Sequence, residues 1–359
     1  MITADSNRLC RSGRRALATI ALTLFGCVTA ANAQSPVVMS TNVRGVNIVV
    51  PPPPGFDPIT ASKSERALYA VPPEPDPTLA PYAHAIWQRT LSGFTQRQTQ
   101  VEVQQTTLSN GPNRPVGGLA QQGNAVVSGQ SVNWSGTSVV APGTPFTEEA
   151  IIGTFAVPSA HVAIGTCSDS WVYSSIWPGI DGNGSNDVLQ GGAEVDALCN
   201  NGSTETFYSA WIEWYPLPEV RVNSPAIQPG DLLFVEVWNT SPTTGYVYFA
   251  DESTGVTATY SLTAPNGTSL KGNSVEWIVE RPSIGDSLAT LTNYIDVPWA
   301  YGVAWNYGSS NPTYHYMGKN PAVLTLQTIT MVDNNGNAIS VPTIENSDFL
   351  WLQDTGSAY

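Results

Sequence analysis

The sequence predicts an all-β protein, and three observations carry that expectation. From Val132 onward, short segments rich in Val, Ile, Thr, Tyr, Phe and Trp follow one another. Clusters of Gly, Pro, Asn and Asp punctuate them. No long segment of helical period lies between them, so βαβ crossovers are excluded, and the strands are too many for one flat sheet. Antiparallel sheets packed as a sandwich are therefore expected.

Before that region lie two segments of another kind. Arg8, Arg11, Arg14 and Arg15 precede the apolar run ALATIALTLFGCVTA, which ends in the small-residue site Ala31-Asn32-Ala33. This is the pattern of an export signal over residues 1–33, with a mature chain from Gln34. Arg14-Arg15 and Cys27 only loosely match a twin-arginine or lipoprotein site. No later stretch offers the ~18 consecutive apolar residues of a membrane span, so a soluble extracellular or periplasmic product is expected. Residues 34–130 read as a leader or pro-segment, with PPPP at 51–54, VPPEPDP at 71–77 and a Gln/Asn/Gly-rich run over 100–130. One helix is expected from about Pro81 to Gln98, where Ala83, Ile86, Trp87 and Leu91 share a side. A helix of that length is marginal alone, so it should dock on the domain at 131–359.

The strands follow in order: WVYSSIW (171–177), FYSAWIEWY (207–215), LLFVEVW (232–238), YVYFA (246–250), VTATYSL (256–262), SVEWIVE (274–280) and AVLTLQTITMV (322–332). WPGIDGNGSNDVLQGGAEVD (177–196) adds a turn and a strand that sets Val188, Gln190, Gly192, Glu194 and Asp196 on one face. By the same alternation Trp211, Glu213 and Tyr215 share a face, as do Ser274, Glu276, Ile278 and Glu280. Were these strands neighbours, Gln190, Glu194, Glu213, Glu276 and Glu280 would meet in one trough walled by aromatics. An ordinary solvated sheet face shows the same alternation. Cys167 and Cys199 remain once a signal is removed, an even pair in an oxidising compartment. Their midpoint, residue 183, lies in the DGNGSND turn, so a hairpin there would bring them together as a disulfide; two buried thiols are the alternative.

Charge is uneven. Residues 131–359 hold four basic residues against 22 Asp plus Glu, whereas residues 34–130 hold six against five. Phosphate would be repelled, which excludes nucleic acid as a partner. Self-repulsion among so many carboxylates eases in acid, suggesting acidic surroundings; simple solubility accounts for the composition equally well.

WPGIDG…LQGG (177–182, 189–192), WIEWYP (211–216) and VEWIVE (275–280), with NWSG at 133–136, resemble in that order the glutamic peptidases, or eqolisins, over most of residues 131–359. The resemblance implies a sandwich of two curved antiparallel sheets, similar to the concanavalin A-type lectins. It implies Gln190 and Glu276 as the catalytic pair, and Trp177, Asp181, Trp211 and Glu213 around the substrate cleft. Glu194 stands where that family has Asp and is placed with them. A carboxylate suits this work because it can take a proton from water attacking a peptide carbonyl and return it to the departing amine. A glutamine orients the water and stabilises the oxyanion without ionising. The expected partners are protein or peptide substrates and the chain's own pro-segment, held by Lys63, Arg66, Arg89 and Arg97 against the acidic domain or serving as a plain linker. A monomer without cofactor or metal is expected.

Two rival functions share such a fold. A glycoside hydrolase would use paired carboxylates beside tryptophans, and Glu194-Val195-Asp196 offers an acid-x-acid strand, but the third acid is missing. A carbohydrate-binding protein without catalysis would use the 11 tryptophans. GDSL at 285–288 lacks a following Asp-x-x-His, and His84, His161 and His315 show no triad spacing. The Asp-Thr/Ser-Gly signature of aspartic peptidases does not occur twice.

Overall fold

The computed structural model describes residues 35–93, 101–117, 126–140, 149–319 and 324–356; the segment 1–33 expected to be an export signal and Arg97 lie outside them. The strands that build the sandwich are β1 (Trp134–Val140), β2 (Ala150–Ala156), β3 (Ser175–Ile180), β4 (Val188–Asn200), β5 (Ser203–Tyr215), β6 (Val220–Val222) and β7 (Leu232–Ser241). They continue as β8 (Thr244–Asp251), β9 (Val256–Thr263), β10 (Ser274–Glu280), β11 (Asp296–Trp305), β12 (Thr325–Val332), β13 (Ala338–Asn346) and β14 (Phe349–Asp354).

In the front sheet the order is β6-β5-β4-β3-β10-β1-β12, these strands all antiparallel, and Val127–Ser131 pairs in parallel with β12. The back sheet runs β13-β14-β11-β2-β7-β8-β9, also antiparallel. The turn between β12 and β13 joins the two at one edge. Alternation does the sorting: Leu189, Ala193, Ile212, Val275, Trp277 and Val279 of the front sheet meet Ile151, Val235, Val237, Val247 and Phe249 of the back sheet in one core. Trp277 satisfies its indole N–H inside that core by donating to the carbonyl of Ile152 (2.8 Å). The other face of the front sheet is thereby left for polar side chains.

Cys167 and Cys199 form the expected disulfide. The β3–β4 hairpin pairs Ser175 with Glu194 and Ile180 with Leu189, which centres it near Gly184, close to the midpoint of the cysteines.

The leader is more structured than its composition suggests. Val46–Val49 extends the back sheet beyond β9, and Val103–Gln105 extends the front sheet beyond β6. Helix α1 (Lys63–Leu68) starts at a capping box between Ser62 and Glu65. Helix α2 (Pro81–Gly93) is the expected one; of its predicted extent, residues 94–98 lie outside the described residues. Its Ile86, Trp87 and Leu91 pack on Phe234, Trp238, Tyr246, Tyr248 and Tyr301, covering the outer face of the back sheet. Apolar burial therefore does most of the holding that was expected of charge. Arg89 does reach Glu252 (2.9 and 3.0 Å) but is 62% exposed, where an ion pair contributes ~0–1 kcal/mol. Arg66 pairs with Glu74 of the leader itself, and Lys63 is exposed.

Candidate active site

Strand β3 lies between β4 and β10, so Gly179 is paired with Gln190 on one side and Glu276 on the other. Directly paired residues share a face in antiparallel sheets. The row Glu213–Gln190–Gly179–Glu276–Ser138–Gln327 thus crosses the front sheet on the side away from the core. At ~4.8 Å per strand, the backbones of Gln190 and Glu276 lie about 10 Å apart, a gap two inward-leaning side chains and one small molecule can span. Only glycine fits between them: a Cβ on Gly179 would stand 2.7 Å from the Trp177 ring and 3.1 Å from Cβ of Gln190. Trp134, Trp177, Trp211, Val188, Ile278 and Ile329 form an apolar wall on this face, with Tyr215 against it.

Glu276 is fully buried. Its Oε1 accepts from the Ser138 hydroxyl (3.2 Å), while its Oε2 makes no hydrogen bond of ordinary geometry among the described residues. Ser138 is in turn held by Asn183 Nδ2 (3.0 Å), which also donates to Gln327 (2.8 Å). Burial raises the Glu276 pKa well above its ordinary value, and hydrogen bonds only partly oppose this. Gln190 Nε2 donates to Glu213 Oε2 (3.1 Å), and Gln190 Oε1, also buried, accepts from no group among the described residues. Burial likewise pushes Glu213 up, to about 8.

The face is not bare. A strand of the leader runs across it, beginning at Leu108–Ser109, which pairs with Ser283–Ile284. The Asn110 carbonyl accepts from Gln190 Nε2 (2.5 Å), and the Asn110 N–H donates to Glu213 Oε2 (3.0 Å). The Gly111 N–H donates to Glu280 Oε1 (3.0 Å), and its carbonyl accepts from the Trp134 indole (3.0 Å). Asn133 reaches the carbonyl of Pro112 (3.0 Å), and Asn113 N–H donates to the carbonyl of Gly182 (3.0 Å). Glu280, fully enclosed by these groups and by the Trp177 indole (3.2 Å), has its pKa raised well above the ordinary value by burial.

Of the residues singled out from sequence, Gln190, Glu276, Trp177, Trp211 and Glu213 share this face. Asp181 serves a neighbouring loop instead. At φ +70° it accepts backbone N–H groups of Lys271, Gly272 (3.1 Å) and Asn273 (2.8 Å), and so fixes the turn that launches β10 and Glu276. Glu194 is gripped by Arg221, through Nε (2.5 Å) and Nη2. Asp196 (4.0 Å) and Glu219 (3.8 Å) complete a buried cluster around that guanidinium. With both carboxylates of Glu194-Val195-Asp196 turned to Arg221, the acid-x-acid strand offers no pair to a glycoside. Sequence reasoning missed Glu219, Arg221, Ser138 and Asn183. Asn133 and Trp134 were visible only as part of NWSG.

Comparison with known proteins places residues 132–349 in a match to the peptidase A4 family. Aspergillopepsin-2 of Aspergillus niger is 30% identical over 197 residues, 50% of this chain and 66% of that protein. Scytalidopepsin B of Scytalidium lignicola is 28% identical over 190 residues, 53% of this chain and 64% of that protein. The chain thus spans just under two thirds of each relative. Among solved structures, scytalido-glutamic peptidase with a peptide-based transition state analog aligns over 62% of this chain and 98% of that one, with 21% identity and a TM-score of 0.48.

Proposed function

The chain belongs to the peptidase A4 family, the glutamic peptidases, and from that premise we propose that it is an exported endopeptidase acting in acid through Glu276 and Gln190. The observation that carries this reading is the row across β4, β3 and β10. It sets one amide oxygen, Gln190 Oε1, and one carboxyl oxygen, Glu276 Oε2, each without a hydrogen-bond partner among the described residues, on the same buried face either side of a glycine. A water molecule between them donates one hydrogen to each.

As the water oxygen attacks a peptide carbonyl carbon, Glu276 takes its proton. Gln190 Nε2 donates to the oxygen on which negative charge develops, and removal of one such donor costs about 3 kcal/mol of transition-state stabilisation in other hydrolases. When the C–N bond breaks, Glu276 passes the proton to the departing nitrogen. A group that must begin ionised and end protonated works best near its own pKa, and burial under substrate helps it hold the proton until the amine leaves. The wall of Trp134, Trp177 and Trp211 excludes solvent from this exchange.

The test is hydrolysis of casein across about pH 3–7, from the reference carboxyl pKa values upward, because burial raises Glu276 above them. Glu276→Gln and Gln190→Ala should each lower kcat by ~10²-fold or more with retained circular dichroism. Activity within threefold of the parent in either folded variant would reject the pair.

A further inference from the structure

We propose that Asn183 and Ser138 are positioning residues for the hydrolysis: Asn183 turns the Ser138 hydroxyl hydrogen onto Glu276 Oε1, which leaves Oε2 as the oxygen that takes the proton from water and returns it. This rests on the assignment of Glu276 and Gln190 above. Ser138 of β1 lies directly between Glu276 of β10 and Gln327 of β12 in the row across the front sheet. Asn183 reaches the same place from the β3–β4 turn, and all three of Ser138, Asn183 and Gln327 are buried.

The direction of the network follows from which groups can donate. Both hydrogens of Asn183 Nδ2 are engaged, one with Ser138 Oγ (3.0 Å) and one with Gln327 Oε1 (2.8 Å). Asn183 Oδ1 accepts from Asn113 Nδ2 (3.3 Å), so three amides run head to tail. Reversing the middle one would set oxygen against Gln327 Oε1 and nitrogen against Asn113 Nδ2. A serine hydroxyl carries one hydrogen. With a donor already aimed at the Ser138 oxygen, that hydrogen is left to point at Glu276 Oε1, 3.2 Å away. Asn183 acts a second time through its backbone N–H, which donates to Ser274 Oγ (3.2 Å). Ser274 stands two residues before Glu276 on the same face of β10, and its hydroxyl likewise favours the ionised carboxyl.

The consequence for the reaction is a choice of oxygen. Ser138 donates to Oε1 whether Glu276 is ionised or protonated, and keeps its own hydrogen throughout. The proton from water is therefore held on Oε2 and passes from there to the departing nitrogen as the C–N bond breaks. Burial raises the Glu276 pKa, and Ser274, Ser138 and the Asn183 N–H all oppose that rise. The charged groups around Glu276 are Asp181 of the β3–β4 turn, with Asp187 and Lys271 beyond it, Glu149 before β2, Glu213 across the row on β5, and Glu280 further along β10. Strands β1, β3 and β12 and leader residues 110–113 contain no charged residue. The hydroxyl and amide donors, rather than a cation, thus keep Glu276 ionisable in acid.

The experiment measures kcat/KM on fluorescein-labelled casein across about pH 2.5–7, from below the reference carboxyl pKa values upward, for the full chain, Ser138→Ala, Asn183→Leu, the double variant and Ser138→Thr, with thermal unfolding alongside. Infrared difference spectra against Glu276→Gln follow the Glu276 carboxyl band over the same range without turnover. A general base must be ionised to act, so loss of one donor to its ionised form should move the rising acid limb, and the infrared midpoint, upward by about one pH unit. Asn183→Leu should shift both at least as far as Ser138→Ala, the double variant no further than Asn183→Leu alone, and Ser138→Thr should keep the parent's midpoint. Lower activity with an unmoved midpoint in Ser138→Ala overturns the inference, because a merely structural role has that outcome; shifts that add in the double variant overturn it too. Should Asn183→Leu fail to fold, Ser138→Ala against Ser138→Thr decides. A parent that leaves casein intact, or a Glu276→Gln protein that digests it, rejects the catalytic pair, and the inference falls with it.

Discussion

Glu213 offers a direct test of how burial governs this fold. Its carboxyl is 1% exposed and its pKa is raised to about 8, chiefly by desolvation, from an ordinary value of 4.5. Below about pH 4.5 the proton is present in folded and unfolded chains alike, so Glu213 contributes no pH dependence there. Between 4.5 and 8 the unfolded chain releases the proton and the folded chain keeps it, so stability is lost as pH rises. At 1.36 kcal/mol per unit, the span from pH 4.5 to 7 corresponds to about 3 kcal/mol from this one side chain. Glu213→Gln removes the titration and keeps an acceptor for Asn110 N–H. Urea unfolding of both proteins at pH 4.5 and 7, on a Glu276→Gln background to suppress self-digestion, isolates the effect. The constant cost of the substitution cancels when the two pH values are compared. The parent should lose about 3 kcal/mol more than the variant over that interval. Equal losses would refute the reasoning.

Three further outcomes are expected. Gly179→Ala places a methyl group against Trp177 and Gln190, and should lower kcat on casein by ~10–10²-fold while the melting temperature stays within a few degrees; unchanged kinetics would show that the Gln190–Glu276 gap tolerates intrusion. Arg221→Ala strands Glu194, Asp196 and Glu219 without their cation, so urea unfolding at pH 7 should record a loss of ~3–5 kcal/mol that shrinks towards pH 4 as Asp196 and Glu219, both raised by burial, protonate. Raising NaCl from 0.05 to 1 M should recover little of the stability lost at neutral pH, because buried charges are poorly screened; full recovery by salt would instead assign the loss to surface repulsion.

Much of the site was legible because side-chain direction alternates along a strand. The faces assigned to Gln190, Trp211, Glu213, Glu276 and Glu280 are those they occupy, and the two segments that carry the pair do flank one strand. What period 2 could not give is who covers a face. The outward side of the front sheet reads as solvated from its polar residues, yet the leader buries it, and does so through the backbone of Asn110 and Gly111. Main-chain recognition leaves no pattern in a sequence. Arg221 was illegible for a related reason, since its grip on Glu194 depends on β4, β5 and β6 lying side by side. Asp181 satisfies backbone N–H groups 90 residues or more away, so nothing near it in sequence reveals that role.

The acidic composition acquires a more specific meaning from these contacts. Net charge alone suggested that repulsion between surface carboxylates would favour an acid setting. The structure locates a different cause, since Glu149, Glu213, Glu219, Glu236, Glu276 and Glu280 are buried and each has its pKa raised first by desolvation. Ionising any of them inside the fold is opposed by the medium whatever the surface carries. A catalytic carboxyl needs that same apolar enclosure to hold a proton through the reaction, so the surroundings that would tune Glu276 also make the folded chain most stable where such a group is most often protonated. An uncharged glutamine beside it follows from the same constraint: a second carboxylate at position 190 would add one more buried group to neutralise, whereas the amide donates and accepts at every pH.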